Sequence, residues 1–382
     1  MLSRITQRLN TLWPIAAFVA LAMLVYRRLV FSNLILARGD TYRYFYPLWQ
    51  SASDALHAGR LPLWNPDLFM GAPLLANSQL GFFYPLNWPL WWFFRTPYAV
   101  SATIFIHVLI AGLGTYWLAR RGLKLSMLGA LLAAASFGLG GYLSAKVELV
   151  NQIQGLAWMP WIVAVGSSFA ATTADWRGAL RKAAVIGLLF AMQLLAGHTQ
   201  TTFMTGIALG LWVGVEWLSN LRSPSAENDT PMSAKVRAKG IELGQIGVAV
   251  VGGVVLAVVL AAVQLLPTLE LTGLSRRQGG GLPVEEAMSF SLHPLLFPRT
   301  LLPTYGQQPS AEYVAYLPIA CLLLLMIGLF HVAYNRRMWM PIILLVCGLL
   351  FAFGEHNPLF KNYIIYLPGF ALFRVPARWM AL

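Results

Sequence analysis

Nine stretches of this chain are apolar over roughly the 20 residues that carry a helix across a lipid bilayer. They fall at 11–35, 97–118, 125–144, 152–171, 180–196, 199–218, 244–266, 313–332 and 338–353. Arg378-Trp379-Met380-Ala381-Leu382 is placed to open a tenth. Lipid offers no partner to a backbone N–H or C=O, so each segment must close its own hydrogen bonds as a helix. The expected fold is all-α and integral to a membrane: one domain over 1–382, a polytopic bundle of about 9–10 transmembrane helices. Composition agrees. Hydrophobic residues make up 58% and charged residues 11%, against about 25% charged in a soluble domain. The formal charge of +13 speaks for topology signals and anionic headgroups, and no basic run suggests a nucleic-acid groove. Cys321 and Cys347 both sit in apolar stretches, which excludes a disulfide framework or a thiolate metal site.

The basic start at Arg4 and Arg8 precedes an apolar run, but Tyr26-Arg27-Arg28 stands where a small-residue cleavage site would be. A retained signal anchor is expected. The short loops holding Arg120, Arg121 and Lys124, then Arg177, Arg181 and Lys182, then Arg222, Lys235, Arg237 and Lys239, then Arg336 and Arg337 all fall on the side of the N-terminus. Positive loops mark the cytoplasm. The long loops 36–96 and 267–312 are then external, and the Ser/Pro/charge-rich 219–243 reads as a loose cytoplasmic linker.

The segment 39–92 is dense in aromatics, prolines and glycines, and a loop of that length inside a compact protein is usually functional. Phe45, Leu48, Trp49, Ala52 and Leu56 recur at helical spacing, with Arg43, Gln50, Asp54 and His57 on the other face. Pro47 suits a first turn and Gly59 a C-terminal cap. A short amphipathic helix on the outer membrane face follows. Pro-Leu-Trp at 47–49, 62–64 and 89–91 reads as recurring interfacial anchors.

Ionisable residues gather at the external helix ends. Asp40 is either a solvated acid paired with Arg38 and Arg43 or a functional carboxylate at the membrane edge. Lys146 and Glu148 are either an ordinary polar turn or, folded back toward Asp40, part of a carboxylate pair able to share a divalent cation. Gly197-His198-Thr199-Gln200 is a connector with a satisfied histidine or a polar site. Arg276 and Arg277, beside Gly279-Gly280-Gly281, suit phosphate oxygens or lipid headgroups; Arg374 and Arg378 read the same way. Gly206, Gly210 and Gly214, four apart, suggest close helix packing.

Several motifs together resemble the bacterial YfhO-like membrane proteins within the GT-C class of polytopic glycosyltransferases. They are Gly39-Asp40 with Phe45-Tyr46-Pro47, Leu61-Pro62-Leu63-Trp64-Asn65-Pro66, Phe83-Tyr84-Pro85-Leu86, Ala157-Trp158-Met159-Pro160 and Leu195-Ala196-Gly197-His198-Thr199-Gln200. Leu266-Pro267, Ser275-Arg276-Arg277 and Phe373-Arg374-Val375-Pro376-Ala377-Arg378 complete the series. Such proteins usually run further, so the family's C-terminal part is expected to be missing here. The resemblance implies transfer of a sugar from a polyprenyl-phosphate donor to a glycan, lipid or protein acceptor at the outer face of the bacterial inner membrane. It casts Asp40 as general base or as holder of a divalent cation (Mg or Mn); Glu148, from the reading of the polar turn, is the further catalytic candidate. Arg276, Arg277, Arg374 and Arg378 would bind the leaving phosphate. His198, Gln200, Trp64 and Asn65 would line the substrate site, with membrane lipids around it and no nucleic-acid partner. A lipid-linked precursor flippase and a non-catalytic assembly protein stay open as alternatives.

Overall fold

A computed structural model of the chain describes residues 2–68, 70–168, 175–222, 232–275, 278, 281–302, 310–331 and 338–382. It is predominantly helical; among the described residues the only strands are the two-residue β1 (Trp64–Asn65) and β2 (Ala72–Pro73), paired antiparallel with Trp64 opposite Pro73. Helices α1 (Leu2–Val25), α2 (Arg27–Val30), α3 (Tyr46–His57) and α4 (Asn87–Phe93) lead into α5 (Thr96–Arg121), α6 (Met127–Gly138), α7 (Gly141–Ala145), α8 (Val150–Gly166), α9 (Trp176–Leu195), α10 (Thr199–Arg222) and α11 (Met232–Gly273). The short α12 (Val284–Ala287) and α13 (Phe297–Thr300) precede α14 (Ile319–His331), α15 (Trp339–Ala352) and α16 (Pro358–Asn362).

Five helical segments among the described residues are long and apolar enough to cross a membrane: Thr96–Arg121, Met127–Glu148, Trp176–Leu195, Thr199–Ser219 and Arg237–Gly273. Leu12–Val25, Ile319–Phe330 and Trp339–Ala352 are apolar but shorter. The chain is therefore compatible with an all-α membrane protein. Helix α8 lies between α5, α9 and α10, and of its 17 residues only Trp158 and Trp161 escape full burial. Its window is a central strut.

Local chemistry sets the breaks. Ser126 caps α6, accepting from the Gly129 N–H at 3.1 Å, and Asp175 caps α9 through the Arg177 N–H at 3.0 Å. Between α9 and α10 the chain turns at Gly197, with φ +80. A Cβ there would run into the backbone carbonyl of Ser78, so only glycine lets the first long loop press against this turn.

Three expectations change. The 219–243 segment is no loose linker where it is described: 219–222 finish α10 and 232–243 are the first turns of the 42-residue α11. Its Ala, Lys, Arg and Glu are strong helix formers, and composition alone outweighed that local preference. Residues 223–231, like Arg336 and Arg337, lie outside the described residues. Residues 376–381, placed to open a further span, are 3-10 and not α-helical. Val375 takes a positive φ of 67 ahead of Pro376, and a 3-10 turn over Pro376–Ala381 packs back on α15. Gly206, Gly210 and Gly214 are not packing contacts either, since an added Cβ would meet nothing within 4 Å at any of them.

The first long loop is a folded unit. A π-helical turn, Thr41–Phe45, runs into α3 with Pro47 in its first turn, and Gly59 follows the end at φ +64. Leu48, Trp49 and Ala52 are buried, while Gln50 and Asp54 face out and bond each other at 2.8 Å. Trp49 and Trp91 meet edge to face at 5.4 Å, both fully buried. Two of the three Pro-Leu-Trp tryptophans are thus core residues, not interfacial anchors, because α3 and α4 pack on each other and on α5. Burying a tryptophan there contributes more than leaving it at an interface.

A hydrogen-bonded chain fastens this unit to the bundle. Trp158 donates to the Tyr84 hydroxyl at 2.9 Å, Tyr84 donates to His107 Nε2 at 2.6 Å, and His107 Nδ1 donates to the Thr103 carbonyl at 2.7 Å. The carbonyl can only accept, which fixes the His107 tautomer. Gln154 bonds Asn87 at 2.6 Å and Thr103 at 3.1 Å. On the other side, Gln264 and Thr268 of α11 each donate at 2.9 Å to the carbonyls of Leu75 and Ala76.

Candidate functional site

The site is organised by one turn. Lys146–Glu148 forms a 3-10 turn between α7 and α8, and its three residues face different parts of the chain. Val147 offers its carbonyl to the buried Thr41 hydroxyl at 2.8 Å. Glu148 pairs with Arg38 at 2.5 Å. Between them Gly39, at φ +48, lies so close that a Cβ would collide with the Glu148 carboxylate. This glycine is what allows the exit from α2 to lie on the turn.

Lys146 points inward, fully buried, to the Ala311 carbonyl at 3.0 Å and the Glu312 carboxylate. Glu312 also grips Arg378: Nε reaches Oε1 at 3.1 Å and Oε2 at 3.2 Å, and Nη2 reaches Oε1 at 2.5 Å. Arg378 Nη1 donates to Gln200 Oε1 at 3.0 Å and His198 Nε2 at 3.2 Å, and Tyr142 donates to its carbonyl at 2.9 Å. Burial alone would raise the Glu312 carboxyl, but the charge of Lys146 and the bonds and charge of Arg378 outweigh it and hold it down at about 2. Burial, seconded by the Arg378 charge, pushes His198 well below the usual histidine range. Arginine can only donate, so Nε2 accepts; Nδ1 lies 2.6 Å from the Thr201 hydroxyl and 3.3 Å from the Thr201 backbone N–H. Both ring nitrogens of His198 are thus engaged by protein partners.

The Arg378 guanidinium uses all three nitrogens on protein partners, so it cannot present its fork to a phosphate without giving up Glu312. Its geometry is that of a positioning residue. Gln200 extends the hold: its Nε2 donates to the Arg374 carbonyl at 3.0 Å, pinning the left-handed Val375. A β-branched residue there costs on the order of 1–3 kcal/mol, and the turn leaves Arg374 exposed while Arg378 is drawn inward. Lys146 and Arg378 both lean on the one Glu312 carboxylate.

Asp40 contrasts with all of these. It is exposed, heads the Thr41–Phe45 turn, and its carboxylate joins no hydrogen bond or ion pair among the described residues. Trp64 on β1 is 56% exposed, its indole lying over Gly71 at φ +119, where any Cβ would strike the ring. Asn65 is turned inward, accepting from the Asp67 N–H at 2.9 Å and donating to Ser51 at 3.2 Å; it shapes the strand end. Arg276 and Arg277 lie outside the described residues.

The structure thus brings His198, Gln200 and Arg378 into one cluster, and sets Glu148 beside Gly39-Asp40 in a neighbouring one joined to it by Val147. Among the described residues no three metal-ligating side chains converge. Of the two outer carboxylates, Asp40 is free and Glu148 is held by Arg38. Glu312 was missed in the sequence. Its one signal is an acid placed directly before an apolar window, where nothing local says that Lys146 and Arg378 will need it.

Compared with protein-family models, with curated proteins and with solved structures, the chain matches none of them.

Proposed function

We propose that the protein is a membrane glycosyltransferase that moves a sugar from a polyprenyl-phosphate donor to a hydroxyl-bearing cell-envelope acceptor, with inversion. The carrying observation is a free, exposed carboxylate at Asp40 on one side of the Lys146–Glu148 turn, with Lys146, Glu312 and Arg378 clustered on the other. In this scheme Asp40 takes the proton of the acceptor hydroxyl as its oxygen attacks the anomeric carbon. The carbon–oxygen bond to phosphate breaks, and the electron pair leaves on the lipid phosphate. Exposed Arg374, with Arg276 and Arg277 ahead of Gly279-Gly280-Gly281 in the sequence, stabilises that charge. Lys146, Glu312, His198 and Gln200 hold Arg378 and the Arg374 turn in place. The folded unit between Gly39 and Trp92 roofs the site and limits competing hydrolysis, and Trp64 offers an aromatic face for a sugar ring.

The membrane arrangement belongs to the same proposal: about nine to ten spans, a cytoplasmic N-terminus, and the polar end outside the bacterial inner membrane. Single cysteines at exposed Met70 and at Ser233 are expected to label from opposite sides of intact cells. Labelling of both from outside overturns the orientation. The function is tested with the purified chain in liposomes, given a set of polyprenyl-phosphate sugars and envelope acceptors. Transfer with at least one donor is expected. Lipid movement between leaflets with no transfer from any donor would replace this function with the flippase alternative.

A further inference from the structure

Where α1 gives way to α2 there is a groove of about 570 Å³, within the range of small-ligand clefts. Its walls include Leu29, Leu34, Leu36 and Val147. Tyr26 and Ser144, half-buried and 3.2 Å apart, tie its two sides together. Arg27 and Arg28 also line it; both are exposed, and neither meets a carboxylate among the described residues. Among the described residues the Arg27 guanidinium hydrogen-bonds only the Leu24 carbonyl, at 3.3 Å.

We propose that this groove binds an anionic membrane lipid, its phosphate on Arg27 and Arg28 and one hydrocarbon chain along Leu29, Leu34, Leu36 and Val147. Two features together select that occupant. A free anion would leave the apolar walls facing water, and a plain hydrocarbon would leave two guanidiniums unpaired. An amphiphile with a phosphate head satisfies both, and the arginine fork matches phosphate oxygens in pairs. The arginines directly follow the apolar stretch Leu12–Val25, the place where a membrane helix meets headgroups. A zwitterionic lipid carries a phosphate too, but its ammonium cancels the charge that attracts the pair. Val147 sits between Lys146 and Glu148, so a bound chain touches the turn on which the polar site is built. The proposal does not depend on the transferase function.

The test is native mass spectrometry of the delipidated full chain in detergent. It is titrated separately with phosphatidylglycerol, with phosphatidylcholine of the same chains, and with inorganic phosphate. Phosphatidylglycerol is expected to bind about tenfold more tightly than phosphatidylcholine, and inorganic phosphate not at all. The double variant Arg27→Gln/Arg28→Gln should lose that preference. Ile35→Trp, at an exposed position lining the groove, should weaken both lipids while leaving the arginines intact. Equal binding of the two lipids by wild type, or a preference that survives the double variant, sinks the proposal. Unchanged binding by Ile35→Trp means that the arginines attract headgroups at the surface and the groove holds no chain. Phosphate binding as tight as phosphatidylglycerol reduces the site to a simple anion site.

Discussion

Lys146 and Glu148 are two residues apart on one turn, yet they live in different electrostatic worlds. The Lys146 side chain is 0% exposed and its partner Glu312 13%, while Arg38 is 49% exposed and Glu148 22%. An exposed pair contributes about 0–1 kcal/mol, since water and salt already screen both charges. A buried pair gains little over an apolar core, but removing one partner strands the other and costs about 3–5 kcal/mol. The inner side is therefore a structural commitment. It fixes the C-terminal segment through Arg378, whose fork a ligand could recruit only by displacing Glu312, Gln200 or His198. The outer side, with Asp40 free beside it, keeps its groups available to whatever binds. Saturation and chemistry divide along a three-residue turn.

The sharpest way to break that division is Glu312→Gln. It should lower stability by about 3–5 kcal/mol, read as a large drop in the thermal unfolding midpoint in detergent. Adding Lys146→Met should recover part of it, because the stranded charge is then gone. A midpoint unchanged in Glu312→Gln would mean the inner cluster is as dispensable as a surface pair. Asp40→Asn tests the other side. Expression and unfolding should stay normal while sugar transfer falls at least about 100-fold, the scale of a lost general base. Asp54→Asn and Asp67→Asn, exposed in the same unit, should cost far less. Near-normal transfer in Asp40→Asn would remove it from the chemistry and bring Glu148 forward.

Acid should separate the two sides more gently. Glu312 has a depressed folded pKa, so its contribution is complete above about 4.5 and is lost as pH falls toward about 2. His198 is also depressed below 6.5; the unfolded chain takes up a proton there first, so stability begins to fall as pH drops below about 6.5. Unfolding midpoints measured from pH 7 downward should decline in two stages. His198→Gln should shrink the upper stage and leave the lower one in place. The smallest expected effect is at Trp64: Trp64→Ala should raise KM for the donor a few-fold with little change in kcat, as loss of one aromatic stacking contact does. A fall in kcat alone would place Trp64 nearer the reacting atoms than a stacking platform.

Much of the fold could be read along the chain. Helices α5, α9 and α10 lie where their apolar windows predict, because hydropathy over 20 residues is a local quantity. So do α3 and its buried face, the turn at Gly197-His198, and the collection of ionisable residues at one set of helix ends. Local patterns failed where a helix was charged instead of apolar, as at 232–243, and where a tryptophan had two homes, as Trp49 and Trp91 did between interface and core. The pairing of Glu148 with the Gly39-Asp40 exit was foreseeable as a possibility only.

The cluster itself belongs to tertiary structure. Lys146, His198, Glu312 and Arg378 come from four separate parts of the chain. Residue types and spacing determined that this is a helical, lipid-compatible chain with an acid and several cations at its helix ends. Which cation is spent on an internal carboxylate and which stays open depends on burial and distance, and these exist only once the helices have packed. Arg374 and Arg378 read identically in sequence; a strained Val375 and a Gln200 from 174 residues away send one outward and the other in.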